Sequence, residues 1–178
     1  MIKQSKNSNG ANEIIVYTDG SSLGNPGPSG WGSVVSSPDG KVVELGGREK
    51  ESTNNRMEMT AAISALRLIQ ERKLKGKIIN VHTDSAYLLN GITIWIFGWM
   101  KNNWRNAAKD PVLNKDLWEE LYKLTFDLKN KYEIKWTKVK GHDGVKLNER
   151  CDLIATSFSA GDKILLFTGN LKDYQKIF

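Results

Sequence analysis

The stretch Val16-Tyr17-Thr18-Asp19-Gly20-Ser21 sets an acidic residue at the end of an apolar run, directly before a Gly-rich segment. Glu13 to Thr18 is rich in β-forming residues and reads as a strand. Asp19 therefore stands at a carboxyl end of that strand, the edge at which open α/β sheets collect their chemistry. Gly20 to Gly30 holds four Gly, two Pro and Asn25 and reads as a turn-rich loop. Beyond it, Trp31 to Ser37 and Lys41 to Gly47 read as two strands joined by a hairpin at Pro38-Asp39-Gly40.

Asn54 to Arg72 is the clearest helix. Ala62, Ala65, Leu66 and Ile69 recur at helical spacing and form a core-facing stripe, with Thr53 or Asn54 as N-cap. Lys77 to Thr83 is a further apolar strand that ends at Asp84. Ser85 to Trp104 mixes short helical patterns with Gly91 and Gly98. Asn114 to Lys131 reads as a second long helix, Tyr132 to Val139 as a strand, and Asn148 to about Ala160 as a last helix after a Gly-containing loop. The expected organisation is a polar leader over residues 1–12, one domain over 13–160, and a tail over 161–178 with no assignable structure.

The 178-residue length fits one hydrophobic core, and 39% apolar with 26% charged residues is ordinary for a globular protein. A formal charge of +6 points to an anionic partner, nucleic acid ahead of membrane. The single Cys excludes an intrachain disulfide framework and a Cys-rich zinc site, which fits a reducing compartment. Residues 1–12 lack the apolar segment of a signal peptide, and the apolar stretch Gly91 to Met100 is too short to span a bilayer, reading instead as buried or partner-facing. A cytoplasmic location is expected.

Topology brings four distant acids together. If the first three strands form an antiparallel meander, the third ends at the same edge as the first. The helix that follows starts there and crosses over, so the Lys77–Thr83 strand runs parallel to the first. Asp19 and Asp84 then terminate two parallel strands, about 4.8 Å apart if these are neighbours. Glu58, on the core-facing stripe in the first turns of the crossover helix, lies near the same edge. A second crossover makes Tyr132–Val139 parallel as well, and the helix after it presents Asp152. The expected class is α/β with a five-stranded mixed sheet, three antiparallel strands plus two parallel, flanked by helices.

Four carboxylates so placed repel one another unless cations join them. Their hard oxygens suit Mg²⁺ or Mn²⁺. Two such ions roughly 4 Å apart can activate a water and stabilise the leaving oxygen of a phosphodiester. Taken singly, each residue has a plainer reading. Asp19-Gly20 is a turn signal, Glu58 could pair with Arg56, Asp84-Ser85 could cap a helix, and Asp152 could favour a helix N-terminus.

As an ordered set the motifs resemble the type 1 ribonucleases H. The matching residues are Thr18-Asp19-Gly20-Ser21 with Gly24-Asn25-Pro26-Gly27-Pro28, Thr53-Asn54-Asn55-Arg56-Met57-Glu58, Thr83-Asp84-Ser85, Asn90-Gly91-Ile92-Thr93 with Trp95, and Lys140-Gly141-His142 with Asn148-Glu149-Arg150-Cys151-Asp152. The resemblance implies a ribonuclease H-like fold and hydrolysis of the RNA strand of RNA–DNA hybrids, leaving 3′-hydroxyl and 5′-phosphate ends. It implies that Asp19, Glu58, Asp84 and Asp152 hold two Mg²⁺ ions, that His142 on a loop assists proton transfer or product release, and that the protein is a monomer. His82, inside a strand, is read as structural.

Hybrids display 2′-hydroxyls across a shallow minor groove, and Asn25, Asn54 and Asn55, which flank the acids in sequence, can donate and accept there. Alone, these amides also read as turn and cap residues. Thr53 and Asn114 resemble the family's pocket for a DNA-strand phosphate. Tyr87, Trp95, Trp99 and Trp104 with Lys101, Arg105 and Lys109 resemble its basic protrusion, with some of the Trp residues expected to be core. The chain departs from better-charged members at Met100, Asn102, Asn103 and Leu113, which implies a shallower salt dependence. Glu51 and Ala86 stand where some members have Arg and Gln. Two other readings remain beside the endoribonuclease: a module that binds hybrids without cutting, and a DNA nuclease of transposase or resolvase type.

Overall fold

A computed structural model describes residues 12–140 and 145–177. The chain runs β1 (Glu13–Ser22), β2 (Gly27–Ser36), β3 (Lys41–Ser52), α1 (Asn54–Arg72), β4 (Ile78–Thr83), α2 (Ala86–Asn90), a π-helical turn (Gly91–Trp95), α3 (Ile96–Lys101), α4 (Lys115–Leu128), β5 (Glu133–Lys138), α5 (Lys146–Ala160), β6 (Thr168–Asn170) and α6 (Leu171–Ile177). The strands form one mixed sheet in the order β5-β4-β1-β2-β3-β6. β1–β2 and β2–β3 are antiparallel, whereas β1–β4 and β4–β5 are parallel.

The sheet has six strands, not the five expected. The additional strand comes from the tail: β6 pairs antiparallel with β3 through Lys41↔Asn170, Val42↔Gly169 and Val43↔Thr168. Its three residues lack the alternating apolar pattern by which a strand is recognised, and pairing with an existing edge supplies what its sequence does not. The expected loop at Gly20–Gly30 is also shorter. β1 continues to Ser22 and β2 starts at Gly27, because the small residues there serve close packing rather than turning.

Period-two alternation places Val35 and Val43 on one face of the sheet and Val34 and Val42 on the other. The first face carries the main core, where Ile14, Val16, Ile79 and Val81 meet Met59, Ala62, Leu66 and Ile69 of α1 and Trp118, Leu121 and Leu128 of α4. Each fully buried aliphatic side chain of this kind contributes about 1.5–3 kcal/mol. α1 begins where Thr53 Oγ1 accepts the Arg56 amide (3.3 Å) and ends at Lys73 in the left-handed conformation (φ 49°). α4 starts one residue later than expected, after Asn114 at φ 58°. The stretch 91–100 is mixed: Ile92 and Ile96 are buried while Ile94, Trp95, Phe97 and Met100 are exposed.

α5 covers the opposite face and lies unusually near the strands. A Cβ at Gly32 would sit 2.6 Å from the Cys151 carbonyl oxygen and 2.8 Å from Ile154 Cβ, so only glycine permits this approach. Among the described residues no helix is long and apolar enough to cross a membrane.

Candidate active site

The last residue pair of the parallel β1–β4 ladder is Tyr17↔His82. Asp19 and Asp84 each follow two residues later, so the two acids leave the ladder side by side. Glu58 comes in from the second turn of α1. Gly20 makes that approach possible, since a Cβ there would run into the backbone of Met57 and Glu58. One carboxylate oxygen from each of Asp19, Glu58 and Asp84 lies within 4.8 Å of the others. Asp19 is 8% exposed and Glu58 3%. Asp152, on α5, lies outside this group of three, although its charge acts on Asp19.

The electrostatics record the crowding. Burial first, then the charges of Asp84 and Asp152, push the Asp19 carboxyl up to about 7, against a hydrogen bond from the Gly20 amide (2.8 Å). Burial, then the charges of Asp19 and Asp84, raise Glu58 well above the usual carboxylate range. Glu58 Oε2 is buried with no hydrogen-bond partner, as are Thr18 Oγ1 and Asn148 Oδ1 nearby in sequence to Asp19 and Asp152. An orphaned carboxylate oxygen in an all-oxygen acidic group is a donor set that fits a hard divalent cation.

Arg56 does not pair with Glu58. Its guanidinium makes two bonds to Asp116 (3.0 and 2.6 Å) and a third to Asn114 Oδ1 (3.3 Å). Asn114 Nδ2 donates to the Tyr87 hydroxyl (3.1 Å), which also accepts from Trp118 Nε1 (3.2 Å) and donates to the Leu113 carbonyl (3.4 Å). Tyr87 and Asn114 are thus held in one network by an Arg and an Asp that sequence reading had not assigned to it. No local signal could pair Arg56 with Asp116, which are 60 residues apart.

Asn25 Oδ1 accepts the Asn54 amide (3.3 Å), tying the β1–β2 loop to the start of α1, and Asn55 is exposed beside them. Thr53 is spent partly on capping α1. Trp99 packs between Trp95 (5.7 Å) and the fully buried Trp118 (5.5 Å), so it is as much core as surface, whereas Trp95 is 38% exposed. Trp104 lies under the Lys115 ammonium at 5.7 Å. Lys101 is exposed at the end of α3, and exposed Arg105 donates to the Lys109 carbonyl (2.6 Å). His82 stacks on Tyr17 at 4.5 Å, and burial lowers its pKa. His142 and the leader residues 1–11 lie outside the described residues.

A family model described as RNase H matches residues 11–159. The chain belongs to the ribonuclease H family. It is 50% identical over 153 residues to a ribonuclease H of Thermosynechococcus vestitus, covering 86% of this chain and 92% of that one. A ribonuclease H of Treponema denticola is 46% identical over 154 residues, covering 80% and 94%. Among solved structures the chain is similar to LC9-RNase H1, a type 1 RNase H with the type 2 active-site motif (TM-score 0.74, 27% identity, 92% of this chain and 81% of that one). It is also similar to LC11-RNase H1 in complex with RNA/DNA hybrid (TM-score 0.60, 26% identity, 81% and 94%). The mixed sheet with flanking helices is the family's fold.

Proposed function

We propose that the chain is an endoribonuclease that hydrolyses the RNA strand of RNA–DNA hybrids and leaves 3′-hydroxyl and 5′-phosphate ends. The observation that carries this reading is the meeting of Asp19, Glu58 and Asp84 at one sheet edge in a chain of the ribonuclease H family. Asp19, Glu58, Asp84 and Asp152 would hold two Mg²⁺ ions, with Mn²⁺ as substitute. When bound, such ions supply an activated water and charge neutralisation for an in-line displacement at phosphorus.

The protein's own groups do the remaining work. Asn25, Asn54 and Asn55, at the edge where Asp19 and α1 begin, offer amides to the 2′-hydroxyls that only the RNA strand carries. Thr53 and Asn114 receive a phosphate of the DNA strand, with Asn114 oriented between Arg56 and Tyr87. Trp95, Trp99, Lys101 and Arg105 on the segment around α3 engage the DNA backbone by ring contact and charge. His142 moves a proton at the scissile phosphate or helps the product leave. On this reading the enzyme works as a cytoplasmic monomer, with residues 13–160 as its catalytic unit.

The test is a labelled hybrid incubated with the protein in Mg²⁺ and in EDTA, beside double-stranded RNA and an all-DNA duplex. Cleavage of the hybrid's RNA strand only, abolished by chelator, is the expected result. Binding without product would leave a recognition module, and cleavage of the all-DNA duplex would leave a DNA nuclease.

A further inference from the structure

The family match ends at residue 159, yet the segment after it is tightly built into the molecule. Glu44 on β3 has a side chain with 0% exposure. A carboxylate so enclosed is tolerated only when its oxygens are fully bonded. Four donors meet it: Arg150 Nε (2.7 Å) and Nη2 (2.8 Å) from α5, the Phe167 amide (2.9 Å) and the Tyr174 hydroxyl (2.8 Å). Two of the four belong to the tail. The Glu44 amide in turn donates to the Phe167 carbonyl (2.8 Å), and Arg150 Nη2 reaches the Leu165 carbonyl (3.0 Å). The Phe167 and Tyr174 rings pack 5.0 Å apart, with Tyr174 buried.

Arg150 stands two residues before Asp152. The start of α5 has no side-chain cap, because Val145 occupies the N-cap position. The middle and end of the helix are held by Cys151, Ile154, Ala155 and Ser159 against the sheet. Its first turns, where Asn148 is buried and Leu147 packs against the Cys151 and Tyr174 cluster, are fastened in addition from the side by the two-pronged Arg150–Glu44 pair. We infer that Tyr174 and the Phe167 backbone are positioning elements for the active site, acting through Glu44 and Arg150 to set where α5 presents Asp152. The inference rests on the reading of Asp152 as a metal-holding residue. The tail is then a support for the active site from outside residues 13–160 and touches neither substrate nor ion.

The test uses the full chain as Tyr174→Phe, Glu44→Gln and Asp152→Asn variants. Three quantities are measured: Mn²⁺ binding by calorimetry without substrate, amide hydrogen exchange over residues 146–156 in metal-free protein, and hybrid binding in EDTA. Tyr174→Phe keeps the ring that packs on Phe167 and removes only the hydroxyl. It is expected to speed exchange in the first turns of α5 and to weaken Mn²⁺ binding by about tenfold, the low end of the loss found when a group that orients a metal ligand is removed. Hybrid binding in EDTA stays at the wild-type level, a split that a general loosening of the fold would not produce. Glu44→Gln is expected to exceed both effects.

If Tyr174→Phe matches the wild type in exchange and Mn²⁺ affinity while Asp152→Asn loses affinity, the coupling through the tail is overturned and the role of Asp152 stands. If Asp152→Asn binds Mn²⁺ as the wild type does, the role of Asp152 falls and the inference falls with it. A Glu44→Gln protein that does not fold leaves the decision with Tyr174→Phe.

Discussion

Replacing Asp19 by Asn should stabilise the metal-free protein while abolishing cleavage. The carboxylate oxygens of Asp19, Glu58 and Asp84 lie within 4.8 Å of one another. At 4.8 Å and an effective dielectric constant near 20, a pair of unit charges repels by about 3.5 kcal/mol, and by more at closer approach. Burial of Asp19 acts in the same direction as this repulsion. Its carboxyl is pushed up to about 7 by burial and by its acidic neighbours. In the unfolded chain it titrates near 4, and the difference corresponds to about 4 kcal/mol.

The sign follows from which state holds the proton. Below about pH 4 both states are protonated and Asp19 imposes no penalty. Between about pH 4 and 7 the unfolded chain releases the proton first, so the penalty grows with pH and is complete above about 7. An Asn in the same place still asks for hydrogen bonds, which offsets part of the gain. The net expectation is about 2–3 kcal/mol of added stability at pH 8, a rise in Tm of about 4–12 °C for a chain of this size, and almost none at pH 4. Urea unfolding in EDTA at pH 4, 6 and 8 measures this, with hybrid cleavage in Mg²⁺ on the same samples. A variant no more stable than wild type at pH 8, or one whose gain is equal at pH 4, refutes the account of repelling acids.

The Glu44 carboxyl behaves in the opposite way. Burial alone would raise it, but Arg150, the Phe167 amide and Tyr174 together hold it below its ordinary value. Its stabilisation is full above the unfolded pKa and is lost as pH falls, so Glu44→Gln should cost about 3–5 kcal/mol at pH 7 and progressively less below about pH 4, read from unfolding midpoints across that range. Gly32→Ala drives a Cβ to 2.6 Å from the Cys151 carbonyl oxygen, and calorimetry should register a loss of about 1–3 kcal/mol; an unchanged Tm would show that α5 can simply move away. On the proposed role of Asn114 in holding a DNA-strand phosphate, Asn114→Ala should raise KM for hybrid more than it lowers kcat; an unaltered KM removes it from the binding surface. Lys101→Ala should reduce the slope of log affinity against log salt by about 1, and a parallel line would mean that Lys101 meets no phosphate.

Much of the scaffold could be read in advance because short-range rules and the crossover rule act together. α1 occupies Asn54–Arg72 as its stripe and Thr53 cap foretell. The parallel pairing of β1 with β4 follows from two reversals and one crossover, and it places Asp19 beside Asp84. The Gly-rich segment after Asp19 misled for a physical reason. Gly30 is buried against Ala155 and Ser159 of α5, and small residues that permit close approach look in sequence like residues that permit a turn. The tail was illegible because β6 has no pattern of its own and Tyr174 finds its partner 130 residues away. Asp116 was invisible to Arg56 on the same grounds. What the sequence did signal clearly was acid type and spacing; what it could not signal was which acid would be crowded, since that depends on burial.

The position of Glu44 has a consequence for how the protein is made. Its partners emerge from the ribosome 106 and 130 residues after it. At a synthesis rate of about 5–20 residues per second, that carboxylate stays in water for on the order of ten seconds after β3 itself is complete. The outer flank of the sheet can close only once Arg150 and then Tyr174 have been delivered. Asp19, Glu58 and Asp84 are all translated well before that moment, so nascent chains carry the acidic trio long before the side of α5 that bears Arg150 can be fastened to the sheet.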